Sequence, residues 1–425
     1  MSTRLEDYAL LSDLHTGPLV SRDGSIDWLC LPRFDSPAAF CAILGDEDDG
    51  RWRVSAVDGA VVDRRYVPHT FVLETTWRTA TGQLRVTDFL PPGTLQADLI
   101  RRVECLEGTV DVEHDLRIRF DYARATPWIR RVDRADGGPA LLSLAGPDGL
   151  LISGPLLRSS SSGADAGGED GHATDEAGAR APRLVGIFSL SAGDVLDWDL
   201  TWFPSYDALP APTDPDQALA EAVQFWLDWS SRISVHSEHH PIVRRSLLVL
   251  RALTHRQTGG IVAAPTASLP ESFGGCRNWD YRYTWLRDAA LTIEVLLAHG
   301  LTEGATLWRN WLLRAVAGDA DNIQIMYGLA GERDLRESVL DHLPGYEGSR
   351  PVRIGNGAAE QYQADVVGEV MIALAALRRA GVEDDEYSWA CRRTCCATAR
   401  RTSTARTMGF GRCAATRTTS PTVAA

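Results

Sequence analysis

The spacing of apolar residues changes once along this chain, and that change limits the folds open to it. From residue 5 to about residue 205 the apolar positions alternate. Val110, Val112, Leu116, Ile118 and Phe120 fall on one face, and the runs Phe71–Thr79 and Leu84–Phe89 flank a turn at Thr81-Gly82. Short alternating runs separated by turns predict an antiparallel β-sandwich over 5–205. A linker, 206–240, holds a helix from about Asp216 to Ser231, and beyond it only the helical period is legible. Pro241 opens an apolar helix through Leu253, and further helices are expected near 289–299, 302–316 and 359–379. Serial helical hairpins after a sandwich point to an (α/α)6 toroid, assigned here to 241–390. Only four or five of its helices can be read, so the toroid is expected to be incomplete. Residues 158–182, rich in Ser, Gly, Ala, Asp and Glu, read as a flexible surface loop.

Composition removes several functional classes. The 425 residues are 44% hydrophobic and 24% charged, enough for more than one domain with a sizeable core. A net charge of −14 repels phosphate backbones and anionic lipid, which argues against nucleic acid and membrane partners. Met1 to Asp13 lacks a basic-then-apolar signal, and the apolar run Leu247–Leu253 is short and interrupted by Arg251, so a cytoplasmic location is expected. Cys30, Cys41, Cys105 and Cys276 lie too far apart in sequence to suggest a zinc site or a disulfide framework and read as reduced thiols.

The segment Arg277-Asn-Trp-Asp-Tyr-Arg-Tyr-Thr-Trp-Leu-Arg-Asp288 crowds aromatic rings and charged side chains immediately before an apolar helix. Flat rings offer stacking faces to the C–H side of a sugar, and a guanidinium beside a carboxylate offers fixed donors and acceptors to hydroxyl groups. A plain helix cap explains Asp288 alone and leaves Arg287 and the rings unexplained. The segment therefore predicts a carbohydrate site. A second block, Leu343 to Asn356, leads into Gln361, Asp365 and Glu369, which at i, i+4 and i+8 would share one stripe of an otherwise apolar helix. A polar stripe on a buried helix requires a polar partner.

Together these blocks resemble glycoside hydrolase family 15, the glucoamylases and glucoamylase-like trehalases. Tyr281, Tyr283, Trp285, Arg287 and Asp288 match the family's Tyr-x-Tyr-x-Trp-x-Arg-Asp run, which lines the subsite for the non-reducing glucose. Gly24 to Pro37 resembles the trehalase-like N-terminal domain of bacterial members; Trp28, Arg33 and Phe34 within it are read mainly as a turn packed on the helices, with the pocket rim as the alternative. The resemblance implies an inverting α-glucosidase that needs no cofactor or metal, and an α-glucoside as partner. Arg353 and Asn356 are the expected hydroxyl contacts, with Gln361 and Asp365 behind them.

Inversion needs a carboxylic acid and a carboxylate base. Glu332 and Glu337 lie in an Arg-rich loop that favours ion pairing over acid catalysis. The family keeps its acid in a Trp-Glu motif, and no Trp-Glu stands in the 425 residues. No catalytic residue is assigned, and the chain is expected to be a truncated, inactive form. Two other readings stay open: a non-catalytic carbohydrate binder on the same scaffold, and a disaccharide phosphorylase, against which no helix N-terminus or basic nest for phosphate is legible. Trehalose, maltose, starch ends and isomaltose are not distinguished, nor is the oligomeric state.

Residues 391–425 have a different character, with seven Arg, nine Thr and no Asp, Glu or Leu. They are expected to be an out-of-frame, disordered tail beginning near Ala390 or Cys391. The chain holds 43 Arg and no Lys, as a GC-rich gene would encode. Codons for Met408 to Ala424, regrouped so that each third base joins the next two, permit Gly-Ile-Trp-Glu-Val-Arg-Gly-Asp-Pro-His-Asp-Phe-Thr-His-Ser-Arg. That string contains the missing Trp-Glu.

Overall fold

The computed structural model describes residues 3–93, 97–160, 182–234, 240–317, 319 and 322–402. Its N-terminal part is a set of antiparallel strands organised around one 20-residue strand, Asp98–Arg117. The first half of this strand pairs with Gly82–Phe89 and Val195–Pro204, and the second half pairs with Arg51–Ala56 and Arg183–Ser191. A single strand thus passes from one layer into the other. The bend falls at Gly108, whose φ is 68° and where a Cβ would meet the Thr81 carbonyl oxygen at 2.0 Å, so only glycine fits. Trp52, Val54, Leu84, Val86, Leu99, Val103, Leu116, Leu150 and Leu200 fill the space between the layers.

A buried ion pair stitches the layers together. Arg101 donates from Nε to Asp88 Oδ1 at 2.8 Å, from Nη1 to the Trp52 carbonyl at 2.5 Å and from Nη2 to the Gly24 carbonyl at 2.7 Å. With its donors occupied, the guanidinium can be fully buried.

Asp98 and Asp199 are less comfortable. They are diagonal neighbours on paired strands, both buried, and an oxygen of each has no partner among the described residues. Burial pushes both carboxyls above the usual range, and the Asp98 charge pushes Asp199 further. A carboxyl raised on folding contributes stability at acid pH that is lost as pH rises through the folded value. Asp199→Asn is therefore expected to raise the melting temperature by a few degrees at pH 8 and to leave it unchanged near pH 4. Melting curves across that range check this, and equal effects at both pH values would refute it.

The helices are α1 (Pro215–Ser231), α2 (His240–Ala252), α3 (Leu286–Ala298), α4 (Thr302–Val316), α5 (Ala364–Arg379) and α6 (Glu386–Thr402). Asp214 caps α1 by accepting from the N–H groups of Asp216 and Gln217, with Pro215 at the first helical position. Helix α3 packs on α4 and α5, burying Leu286, Ile293, Trp308, Trp311, Val370 and Leu374. Among the described residues no helix is long and apolar enough to cross a membrane.

Three expectations need correction. The region after residue 240 is not helical alone: Ala267–Pro270 pairs with Asn278–Asp280, Thr284–Trp285 with Met326–Tyr327, and Ser338–Val339 with Arg353–Ile354. The helix expected near 359 starts at Ala364, because Asn356 captures the Ala358 N–H and forms a separate turn over Gly357–Glu360. The tail is not disordered throughout, since α6 runs to Thr402 and buries Cys391 and Cys395 against the other helices. Residues 403–425 and 161–181, where a disordered tail and a surface loop were expected, lie outside the described residues.

The N-terminal layers are locked onto the helical part by the segment after Ser25. Trp28 Nε1 donates to the Pro265 carbonyl at 2.8 Å, and Phe34 is buried against Val262 and Leu329. Arg33 binds Asp35 and reaches Glu332 at 2.9 Å. Trp28 and Phe34 thus take the packing role.

Candidate functional site

Helix α3 starts where the two-residue strand Thr284–Trp285 ends, with Trp285 still extended at the N-cap. Arg287 and Asp288 consequently occupy the first turn, three residues earlier than a helix opening at Ala289 would place them. The Arg287 Nη1 donates to Gln363 Oε1 at 3.1 Å and to Asp365 Oδ2 at 3.0 Å, and its Nη2 lies 3.7 Å from Asp288 Oδ2. Gln363 stands at the N-cap position of α5 without a side-chain capping bond, and Asp365 is in that helix's first turn. Two helix N-termini therefore converge here; their dipoles favour the Asp288 and Asp365 carboxylates and oppose the guanidinium, which those carboxylates and Gln363 hold in place. The Asp288 side chain remains 49% exposed, so its oxygens are open to a ligand.

Beside this group the Tyr281 and Trp285 rings stand 6.1 Å apart, inclined at 45°. Burial raises the Tyr281 hydroxyl pKa, helped by the negative charges of Glu271 and Asp288. The phenol therefore remains a protonated donor. The Trp285 indole N–H is buried and has no acceptor among the described residues. Two tilted rings, a fork of donors and an open carboxylate can face the apolar and hydroxylated sides of a pyranose.

The other candidates take different places. Tyr283 is buried in the helical core at 8% exposure, and burial together with its hydrogen bond to Asp280 pushes its hydroxyl pKa up; it supports the wall from behind. Arg353 is already engaged, with Nη1 on the Cys276 carbonyl at 2.8 Å, Nε on Glu337 at 3.0 Å and its plane over Trp279 at 4.7 Å. Asn356 uses both ends of its amide, donating to the Asp280 carbonyl and accepting from Ala358 N–H. Neither residue is placed as the free hydroxyl contact expected of it; both shape the loop carrying Trp279 and Tyr281. Gln361 precedes α5 and is exposed, accepting from Gln363 Nε2 at 3.4 Å, so it does not continue the stripe of Asp365 and Glu369. The residue that joins Asp365 on Arg287 is Gln363, which helical spacing missed because the helix starts later.

Glu332 is partly buried, which opposes ionisation, but Arg33 and the Ala330 N–H more than offset this and hold its carboxyl below the usual range. The pairing guanidinium comes from the N-terminal part, not from the Arg-rich loop. Glu337 is taken by Arg353 and by the Gly357 N–H at 3.4 Å.

The chain thus joins antiparallel layers to packed helices, with two rings and a guanidinium at converging helix N-termini. A bacterial glucoamylase solved with acarbose has the same fold at a TM-score of 0.55 and 10% identity, covering 94% of this chain and 67% of that one. The model of the glycosyl hydrolases family 15 matches residues 238–398, and that of the trehalase-like N-terminal region matches residues 1–140. The family match runs past the expected boundary at 390. A trehalase of Mycolicibacterium smegmatis is 36% identical over 394 residues, 86% of this chain and 56% of the relative. Trehalases of Mycobacterium tuberculosis and Thermoplasma volcanium are 35% and 32% identical, over 86% and 91% of this chain and 55% and 59% of theirs. The chain thus spans little more than half the length of these relatives.

Proposed function

We propose that these residues form the pocket for the non-reducing glucose of an inverting α-glucosidase of the trehalase and glucoamylase type, and that α2 to α6 are an arc of an (α/α)6 toroid. The observation that carries this reading is the Arg287 guanidinium, held by Gln363 and Asp365 beside the open Asp288 carboxylate and the Tyr281 and Trp285 rings. Arg287 and Asp288 would grip outer hydroxyls, the two rings would wall the pocket, and Arg353 would keep the Trp279 loop in place. Similarity to trehalases over most of the chain favours trehalose as substrate, with maltose-type α-glucosides the alternative.

The non-catalytic reading also has an observation in its favour. No Trp-Glu is present, and Glu332, a tempting acid, is ion-paired. The 425-residue chain is therefore expected to bind α-glucosides without turning them over.

Proton NMR of trehalose and maltose mixed with the protein tests both statements. Saturation transfer to the sugar without glucose release is the expected result. From trehalose, fresh β-glucose in equal amount with α-glucose would show that a working acid is present and that inversion is right, whereas fresh α-glucose alone would remove inversion. Release only in the presence of phosphate would favour a phosphorylase. Absence of any transfer would refute the pocket.

A further inference from the structure

The apolar run of α2 is interrupted by Arg251, a residue the sugar pocket does not use. Its side chain is buried at 8% exposure, and among the described residues its Nη1 has no hydrogen-bond partner and it forms no ion pair. A guanidinium in that position is costly unless something supplies the missing charge.

Arg251 faces a cavity of about 90 Å³, several times the ~10–15 Å³ needed for one water. Arg232 and Glu303 are also at the wall, and Trp229, Leu296 and Leu301 form its apolar side. The turn Gly300-Leu301 between α3 and α4 forms the floor. Carbonyls at the end of α3 are consumed there, Leu296 by the N–H groups of His299 and Leu301, and Leu297 by that of Gly300. The start of α4 is different: Thr302, Glu303 and Gly304 present first-turn N–H groups that no preceding helical carbonyl can accept, and the Leu301 N-cap supplies no side-chain oxygen. Two guanidinium groups and the positive end of a 15-residue helix outweigh the single Glu303 carboxylate, which Arg232 already binds at 2.8 Å.

We infer that this cavity is a binding site for a small tetrahedral oxyanion of the phosphate or sulfate class, held by Arg251, Arg232 and the first-turn amides of α4. The basic nest that the sequence does not reveal is thus formed by the α3–α4 turn. It is separate from the sugar pocket, since Arg287 and Leu296 are roughly 14 Å apart along α3 at 1.5 Å per residue. Burial lowers the Arg251 pKa to about 10, and Arg256 and Arg232 add to the strain while Glu303 relieves it. A bound anion would relieve it further.

The test is thermal melting and isothermal titration of the 425-residue protein with inorganic phosphate, sulfate and glucose 6-phosphate, against chloride at equal ionic strength. Phosphate and sulfate are expected to raise the melting temperature by several degrees. The ratio of affinities for phosphate and glucose 6-phosphate separates a free ion from a phosphorylated metabolite. Arg251→Met should lose at least about tenfold in phosphate affinity while melting no lower than wild type without anion, because it removes an unpaired buried charge. A merely structural arginine would instead lower the basal melting point. If that variant does not fold, Arg232→Gln and Glu303→Gln serve in its place, the first expected to weaken binding several-fold and the second to tighten it. A wild-type response no greater than that to chloride, or an unchanged phosphate response in Arg251→Met, overturns the proposal.

Discussion

Arg287→Ala is expected to weaken binding of trehalose and maltose by at least about a hundredfold. The side chain offers charge-assisted hydrogen bonds, worth about 1.5–3 kcal/mol each, and its loss also leaves Gln363 and Asp365 without their shared donor. Arg287→Lys should recover only part of the affinity, since a single ammonium cannot reproduce the planar fork. The alternative is that Arg287 merely ties α3 to α5. Affinity and melting temperature measured on the same variants separate the two: a tie would lower stability and leave the affinity of the folded fraction intact. Asp288→Asn is the cleaner control, because this half-exposed carboxylate makes few contacts whose loss would unfold the chain. Its expected effect is on affinity alone.

The second large effect concerns the codons beyond residue 390. Read so that each codon's third base joins the following two, Met408 to Ala424 permit a Trp-Glu pair, the motif in which the family resemblance places the general acid. A chain translated in that frame is expected to hydrolyse α-glucosides at least about a hundredfold faster than the 425-residue chain, the low end of what general acid catalysis contributes. Glu→Gln at the new acid should abolish the gain. DNA sequence across codons 380 to 425 is the direct test, and a second frame without Trp-Glu refutes the idea. Because α6 continues to Thr402 and the family match to residue 398, a change of frame in the DNA is expected in the later part of this stretch, not at codon 390.

What was legible in the sequence follows from which forces are local. Alternation at Val110, Val112 and Leu116 reports a half-buried strand directly, and the apolar period of α1 to α4 places those helices within a few residues. The Arg287-Asp288 pair was readable because unusual chemistry was concentrated in one short segment. Asn356 misled because an amide that caps a turn and an amide that binds a hydroxyl look alike in sequence; only the Ala358 N–H and the Asp280 carbonyl decide between them. Gln363 was hidden for the same reason, since the turn capped by Asn356 delays α5. The shared strand Asp98–Arg117 was also invisible, because a strand that changes layers keeps its alternation on both sides of Gly108. Arg251 read only as an interruption, and its cavity depends on a turn made fifty residues later.

Arg282 carries a consequence for how the molecule is made. Fully buried, it binds Asp280 at 2.6 Å, the Tyr122 hydroxyl at 2.7 Å and the Ser36 carbonyl at 2.8 Å, so the aromatic segment is anchored on residues translated long before it. Domains generally fold as units during synthesis, the N-terminal one first. The strand layers can therefore stand ready on the ribosome as a mould, and the loop 277–285 sets against them as it emerges, before the helices behind it have been completed.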